Sequence, residues 1–212
     1  MNKILIGSYN KGKQQEIKIF LSPPAGGLPL HFIFPQDLGI TEDVEENGRT
    51  YKENAEKKAL FYAKKSGLPA IADDGGIEIA ALGGKPGVHS KRWVGKDSSD
   101  EKIVNHITKI SRKLPENNRT AYFRNVVAFA LPNGKVWSSK GEVKGIIAKK
   151  PHLKLLQGFP YRSFFYLPQI KKYYHESELT IEEMRKYNHR YKAIQKLKKI
   201  IKTQLQLSFR HE

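Results

Sequence analysis

The chain has 212 residues, 39% of them apolar, with 38 Lys and Arg against 21 Asp and Glu, a formal net charge of +17 and no cysteine. That length buries a sizeable core and suits one domain spanning 1–212, two-lobed; the lack of cysteine excludes a disulfide framework and a thiolate metal site. No apolar stretch reaches membrane-spanning length and no signal-type leader or Gly/Ser linker stands out, so a cytoplasmic protein with no membrane partner is expected.

Lys3 to Gly7 (KILIG) predicts a short buried strand, which runs into Ser8, Tyr9, Asn10, Lys11, Gly12 and Lys13 before a helix from about Gly12 to Leu21. A strand, a small polar loop and a helix start form an anion cradle: free N–H groups and the helix dipole point at the ligand, and Lys13 adds a mobile cation. Gly7 to Lys13 has the spacing of a P-loop, but Gln14 stands where Ser or Thr would hold magnesium, so that reading is weak. An ordinary βα turn with solvated lysines competes with the cradle. A strand near His31 to Phe34 follows.

Glu45-Glu46-Asn47-Gly48-Arg49-Thr50 leads into a helix from Tyr51 to Lys65. Thr50 and Glu53 fit a capping box, and Ala55, Ala59, Tyr62 and Ala63 make a packing stripe. Asn54 and Lys58 lie four apart, on one face beside that stripe, and reach one ligand together if either is functional; a solvated surface lysine is the alternative. Next, a strand from Ala70 to Asp73 is expected to end at Asp73-Asp74-Gly75-Gly76, presenting two acids at the mouth of a sheet, and LGGKPG reads as a sharply turned loop. Paired acids beside bare backbone suit a magnesium-phosphate site, although Asp and Gly also dominate plain turns.

A helix from Asp100 to Leu114 and strands from Thr120 to Leu131 and Lys135 to Ile147 come next; Asn133-Gly134 is a hairpin signal, which makes the sheet mixed rather than doubly wound. The last helix, from about Thr180 to Gln206, carries Lys186, Arg190, Lys192, Lys196, Lys198, Lys199 and Lys202 beside an apolar stripe. Nucleic acid is a conceivable partner for that face, but a solvated face on a docked helix is the reading preferred.

SYNKGK, EENGRTYKENAEKKA and ADDGGIEIAALGGKPGVHSKRW, in that order, together with RTAYF (119–123), GEVKGII (141–147), Gly158-Phe159 and Asn188-His189-Arg190, resemble the inosine/xanthosine triphosphatase family, pyrophosphatases of noncanonical purine nucleoside triphosphates. The resemblance implies an α/β fold, a two-lobed mixed β-sheet with flanking helices and a cleft between lobes. It further implies hydrolysis of ITP, dITP and XTP to the monophosphate and pyrophosphate with Mg2+, by a cytoplasmic homodimer. Carried over residue by residue, Ser8, Asn10, Lys11, Gly12 and Lys13 hold the triphosphate, with Asn54 and Gly75 at the substrate and Lys58 adding charge. Glu46 and Asp74 bind the metal, Asp74 also activates water with Asp73 in support, and Phe159, Tyr161, Arg162, His189 and Arg190 address the purine.

The departures fall mostly in the base-reading half. Family Asp-Asp-Ser-Gly is here Asp73-Asp74-Gly75-Gly76, Gly-Phe-Gly-Tyr-Asp-Pro is Gly158 to Ser163 with Pro160 and Arg162, and Met184 replaces a lysine. Arg162 is expected to offset the cation missing at Met184, while Phe159 either stacks on the purine or plugs the core. These changes keep an alternative in view, a diverged relative of low or no activity that binds nucleotide or nucleic acid through its basic surface.

Overall fold

The computed structural model describes residues 2–22, 30–95 and 98–208. Strand β1 (Asn2–Ile6) forms where Ile4, Leu5 and Ile6 are fully buried, and helix α1 (Lys11–Leu21) starts at Asn10, whose Oδ1 accepts the Lys13 N–H at 3.0 Å. β2 (Leu30–Ile33) pairs parallel with β1. Helix α2 (Tyr51–Ser66) is capped as its sequence predicts: Thr50 Oγ1 accepts the Glu53 N–H at 3.1 Å. The Glu53 carboxylate turns back one residue further than a capping box requires, to the Arg49 N–H at 2.7 Å. Gly67, in the left-handed region at φ 68, ends the helix.

β3 (Ala70–Ile79) is longer than expected. It does not stop at Asp73 but runs on through Asp74, Gly75 and Gly76, so the acids stand inside a strand. The glycines that read as a turn mark a close approach instead: a Cβ on Gly76 would lie 2.2 Å from Ser90 Oγ and 2.3 Å from the Gly87 carbonyl oxygen. Helix α3 (Asp100–Lys113) follows, and its C-terminal carbonyls are closed by buried Arg119, which donates to Ser111 O at 2.8 Å, Leu114 O at 3.0 Å and Ile147 O at 2.7 Å.

β4 (Thr120–Ala130) and β5 (Val136–Ile147) are neighbours joined by the Asn133-Gly134 turn, with the Leu131 N–H on Lys135 O at 2.9 Å. Two short strands not foreseen complete the sheet, β6 (Phe165–Leu167) and β7 (Lys172–Tyr173). The single helix expected after Thr180 is two, α4 (Ile181–Tyr187) and α5 (His189–Ser208), broken at the extended Asn188 (φ −70, ψ 120). The apolar stripe continues across the break, which is why periodicity does not reveal it.

The sheet is open and mixed, in the order β2-β1-β3-β4-β5-β6-β7, with β1 parallel to β2 and β3, and β6 antiparallel to β5 and β7. The chain divides into two compact units, one of residues 1–74, 125–141 and 190–212, the other of 75–124 and 142–189. The first has cores around Ile4, Ile6, Phe129 and Ile194 and around Leu5, Ala59 and Tyr62. The second is built on Ile77, Ile107, Phe123, Phe165 and Tyr174. No helix among the described residues is long and apolar enough to cross a membrane.

Candidate active site

The first unit gathers the acids and cations. Asp73, fully buried, accepts from Arg190 Nε at 3.0 Å and Nη2 at 2.8 Å on one oxygen and pairs with Lys13 Nζ at 3.3 Å on the other. Burial alone would raise its pKa, but Arg190, then Lys13 and Lys58, outweigh it and hold the carboxyl well below the usual range. Arg190 also pairs through Nη1 with Glu16, an acid on the inner face of α1 that sequence reasoning missed. Nothing local marks Glu16, since its partner lies at the other end of the chain.

Asp74 sits in a different environment. Its Oδ2 accepts from Asn54 Nδ2 at 2.9 Å, and Asn54 Oδ1 accepts the Gly48 N–H at 2.8 Å, which fixes the amide orientation. Burial and then the Glu46 carboxylate push Asp74 up to about 6, only partly countered by Lys13, Asn54 and Lys58. Lys58 Nζ lies 2.6 Å from Glu46 Oε1 and donates to Asp73 O at 3.4 Å. Burial works against its charge, but Glu46 and Asp73 win and its pKa is raised. Asn54 and Lys58 therefore act from one face of α2, as their spacing predicts, and neighbouring carboxylates end with proton affinities far apart.

The loop read as a cradle, Ser8 to Lys13, lies in the same unit. Ser8 Oγ accepts the Asn10 N–H at 3.2 Å, and Gln14, also missed from sequence, donates from Nε2 to Ser8 O at 2.5 Å. Gln14 thus braces the loop where a P-loop would need a hydroxyl. Lys11 is exposed at the helix start, with Gly12 and Lys13 half-buried behind it.

No group of three or more His, Cys, Asp or Glu side chains among the described residues is placed to hold a metal ion unaided. The donors that fit a hard divalent cation are Glu46 and Asp74, whose mutual repulsion helps to raise Asp74, beside the buried Asp73 Oδ1, which accepts no hydrogen bond among the described residues. Two carboxylates that leave the remaining positions to phosphate and water are what magnesium takes.

The second unit holds Gly75, Phe159, Tyr161, Arg162 and His189. Gly75 is half-buried in β3, and Tyr161 Oη donates to Ser90 O at 2.7 Å. His189, 4% exposed, stacks on Phe123 at 5.3 Å with Nδ1 2.9 Å from Tyr174 Oη. Arg162 is 2% exposed, and its guanidinium carbon lies 3.9 Å from the Phe159 ring centre and 4.7 Å from that of Tyr174. Met184 packs against the apolar cluster that includes Tyr161 and Tyr174. Arg190, assigned to the purine by resemblance, is placed in the first unit with Asp73 and Glu16.

Comparison with known proteins bears on this arrangement. The model of the Ham1 family matches residues 4–200. A dITP/XTP pyrophosphatase of Desulforamulus reducens is 38% identical over 199 residues, 94% of this chain and 95% of that protein. One of Geobacter sulfurreducens is 37% identical over 198 residues, covering 93% and 96%. Among solved structures, a HAM1 protein from Coxiella burnetii matches with a TM-score of 0.78 at 32% identity, over 96% of this chain and 100% of that one. The Staphylococcus aureus Ham1 protein matches with a TM-score of 0.75 at 32% identity, over 95% and 99%.

Proposed function

The chain belongs to the Ham1 family, and on that premise we propose that it hydrolyses noncanonical purine nucleoside triphosphates, dITP, XTP and ITP, to the monophosphate and pyrophosphate. The observation that carries the reading is the arrangement of the adjacent acids: buried Asp73 is clamped by Arg190 and Lys13, while Asp74 is oriented by Asn54 near the Lys58–Glu46 pair. The names of the relatives supply the substrate class. With both acids and the cations Lys13, Lys58 and Arg190 in place, nothing favours an inactive binding relative.

In the proposed reaction a water oxygen attacks the α-phosphorus, a new P–O bond forms, and the bond from the α-phosphorus to the bridging oxygen breaks. Pyrophosphate leaves with the bonding pair. Asp74 takes the proton from the water, while Asn54 keeps its carboxylate oriented. Lys13 and Lys58 balance the charge moving onto the leaving group, and the N-terminus of α1 faces the phosphate oxygens. Glu46 and Asp74 would hold magnesium, which when bound supplies charge neutralisation on the phosphates. The family resemblance supports magnesium as the metal and a cytoplasmic homodimer; gel filtration with light scattering tests the dimer.

The reading is tested by pyrophosphate release from dITP, XTP, ITP, ATP and GTP with magnesium, in the intact protein and in Asp74→Asn. Turnover selective for the first three, falling by about a hundredfold or more in the variant, is expected. Equal turnover of all five, or an unaffected variant, would overturn it.

A further inference from the structure

The loop that departs most from the family pattern carries a buried cation with aromatic partners. Gly158, at φ 80, donates its N–H to Asp100 Oδ2 at 2.5 Å, and the Arg162 N–H closes a turn on Phe159 O at 3.0 Å. That turn brings the Arg162 guanidinium over the Phe159 ring at 3.9 Å and over Tyr174 at 4.7 Å. Tyr174 Oη in turn meets His189 Nδ1 at 2.9 Å. Phe159, Arg162, Tyr174 and His189 therefore form one continuous run of contacts within the second unit. Phe159 is only half-buried, whereas Arg162 is 2% exposed. The guanidinium takes the inner side of the ring and does not itself reach solvent.

We propose that Arg162 is a positioning residue for purine binding, which fixes Phe159 as a stacking platform and ties it through Tyr174 to His189. The inference rests on the nucleotide reading of this site and deepens it. A cation held over an aromatic ring is worth most when desolvated, and the weakly hydrated arginine does this more readily than lysine, a compact and strongly hydrated charge. An acid at position 162 would face the electron-rich side of the ring and be repelled. The substitution at 162 is thus a change in how the platform is held.

A platform grips the base alike in the ground and transition states, so its loss raises KM and leaves kcat in place. Calorimetric binding of inosine monophosphate and of inorganic triphosphate, beside steady-state hydrolysis of dITP, separates the effects. In Arg162→Met the affinity for inosine monophosphate is expected to fall, and the KM for dITP to rise, by about tenfold. Inorganic triphosphate should bind unchanged. Arg162→Lys should recover only part of the loss, and Arg162→Gln, a planar neutral side chain, supplies a second variant if the methionine one does not fold. Once Phe159 is leucine, replacing Arg162 should cost nothing more. Equal weakening of inorganic triphosphate, a loss confined to kcat, full rescue by lysine, or additive effects with Phe159→Leu would each overturn the inference. If the intact protein turns over no triphosphate yet the monophosphate affinities follow this pattern, the functional reading fails and the role of Arg162 stands.

Discussion

Arg190 places Nε and Nη2 on a single oxygen of Asp73, at 3.0 and 2.8 Å, across 117 residues of sequence. Both partners are buried, and the same guanidinium also pairs with Glu16. Removing it takes a shared cation from two buried acids, although Asp73 keeps Lys13 at 3.3 Å. Arg190→Met is expected to lose about 3–5 kcal/mol in urea unfolding, because an uncompensated buried charge costs more than the pair contributes. Adding Glu16→Gln and Asp73→Asn should return much of that loss; a triple variant no more stable than the single would show that packing, not charge, is at stake.

Asp74 and Glu46 repel one another in the metal-free protein. Asp74→Asn should therefore unfold at a higher temperature than the intact protein in chelator, while losing activity, the usual exchange of stability for function. Magnesium should raise the melting temperature of the intact protein by at least about 2 °C and leave the variant nearly unmoved. Equal shifts in both would remove Asp74 from the metal site.

A methyl group at Gly76 has no room, since Ser90 Oγ and the Gly87 carbonyl stand 2.2 and 2.3 Å from where it would sit. Gly76→Ala is expected to destabilise by about 1–3 kcal/mol. Shortening the serine as well should not restore stability, because the backbone carbonyl remains. Recovery in Gly76→Ala with Ser90→Ala would mean that the hydroxyl alone made the clash.

The rings of His152 and His175 stack at 4.1 Å, and His175 Nδ1 accepts the Ser177 N–H at 3.2 Å. Burial and then the neighbouring His152 lower the pKa of His175, against a weaker upward pull from Glu176 and Glu178. The fold thus favours neutral His175, and the unfolded chain takes up the proton first. The stability this confers is present above the ordinary value of 6.5 and is lost as pH falls through the lowered one. Urea midpoints measured between about pH 8 and pH 5 should fall less steeply in His175→Gln than in the intact protein. Identical slopes would place the acid sensitivity elsewhere.

Local signals were the legible ones. Thr50 with Glu53, and Asn133-Gly134 between apolar runs, each specify a cap or turn within a few residues, and each stands where the sequence puts it. The spacing of Asn54 and Lys58 specifies one face because a helix turns once in about 3.6 residues. What stayed hidden depends on partners far along the chain. Asp73-Asp74-Gly75-Gly76 looks like a turn until Ser90 and Gly87 press against it, and neither Glu16 nor Gln14 shows its partner locally. Arg162 was readable as a departure, but its inward stacking on Phe159 and Tyr174 was not.

The clamp on Asp73 also sets how such a chain can diverge. Lys13, Lys58 and Arg190 come from three separate segments yet answer to one buried acid, so a change at any of them leaves part of that acid's charge unbalanced. Arg162, by contrast, lies against the rings of Phe159 and Tyr174, where size and shape count beside charge. On the proposed reading, single changes near Arg162 alter how the base is held and leave the charges around Asp73 as they are.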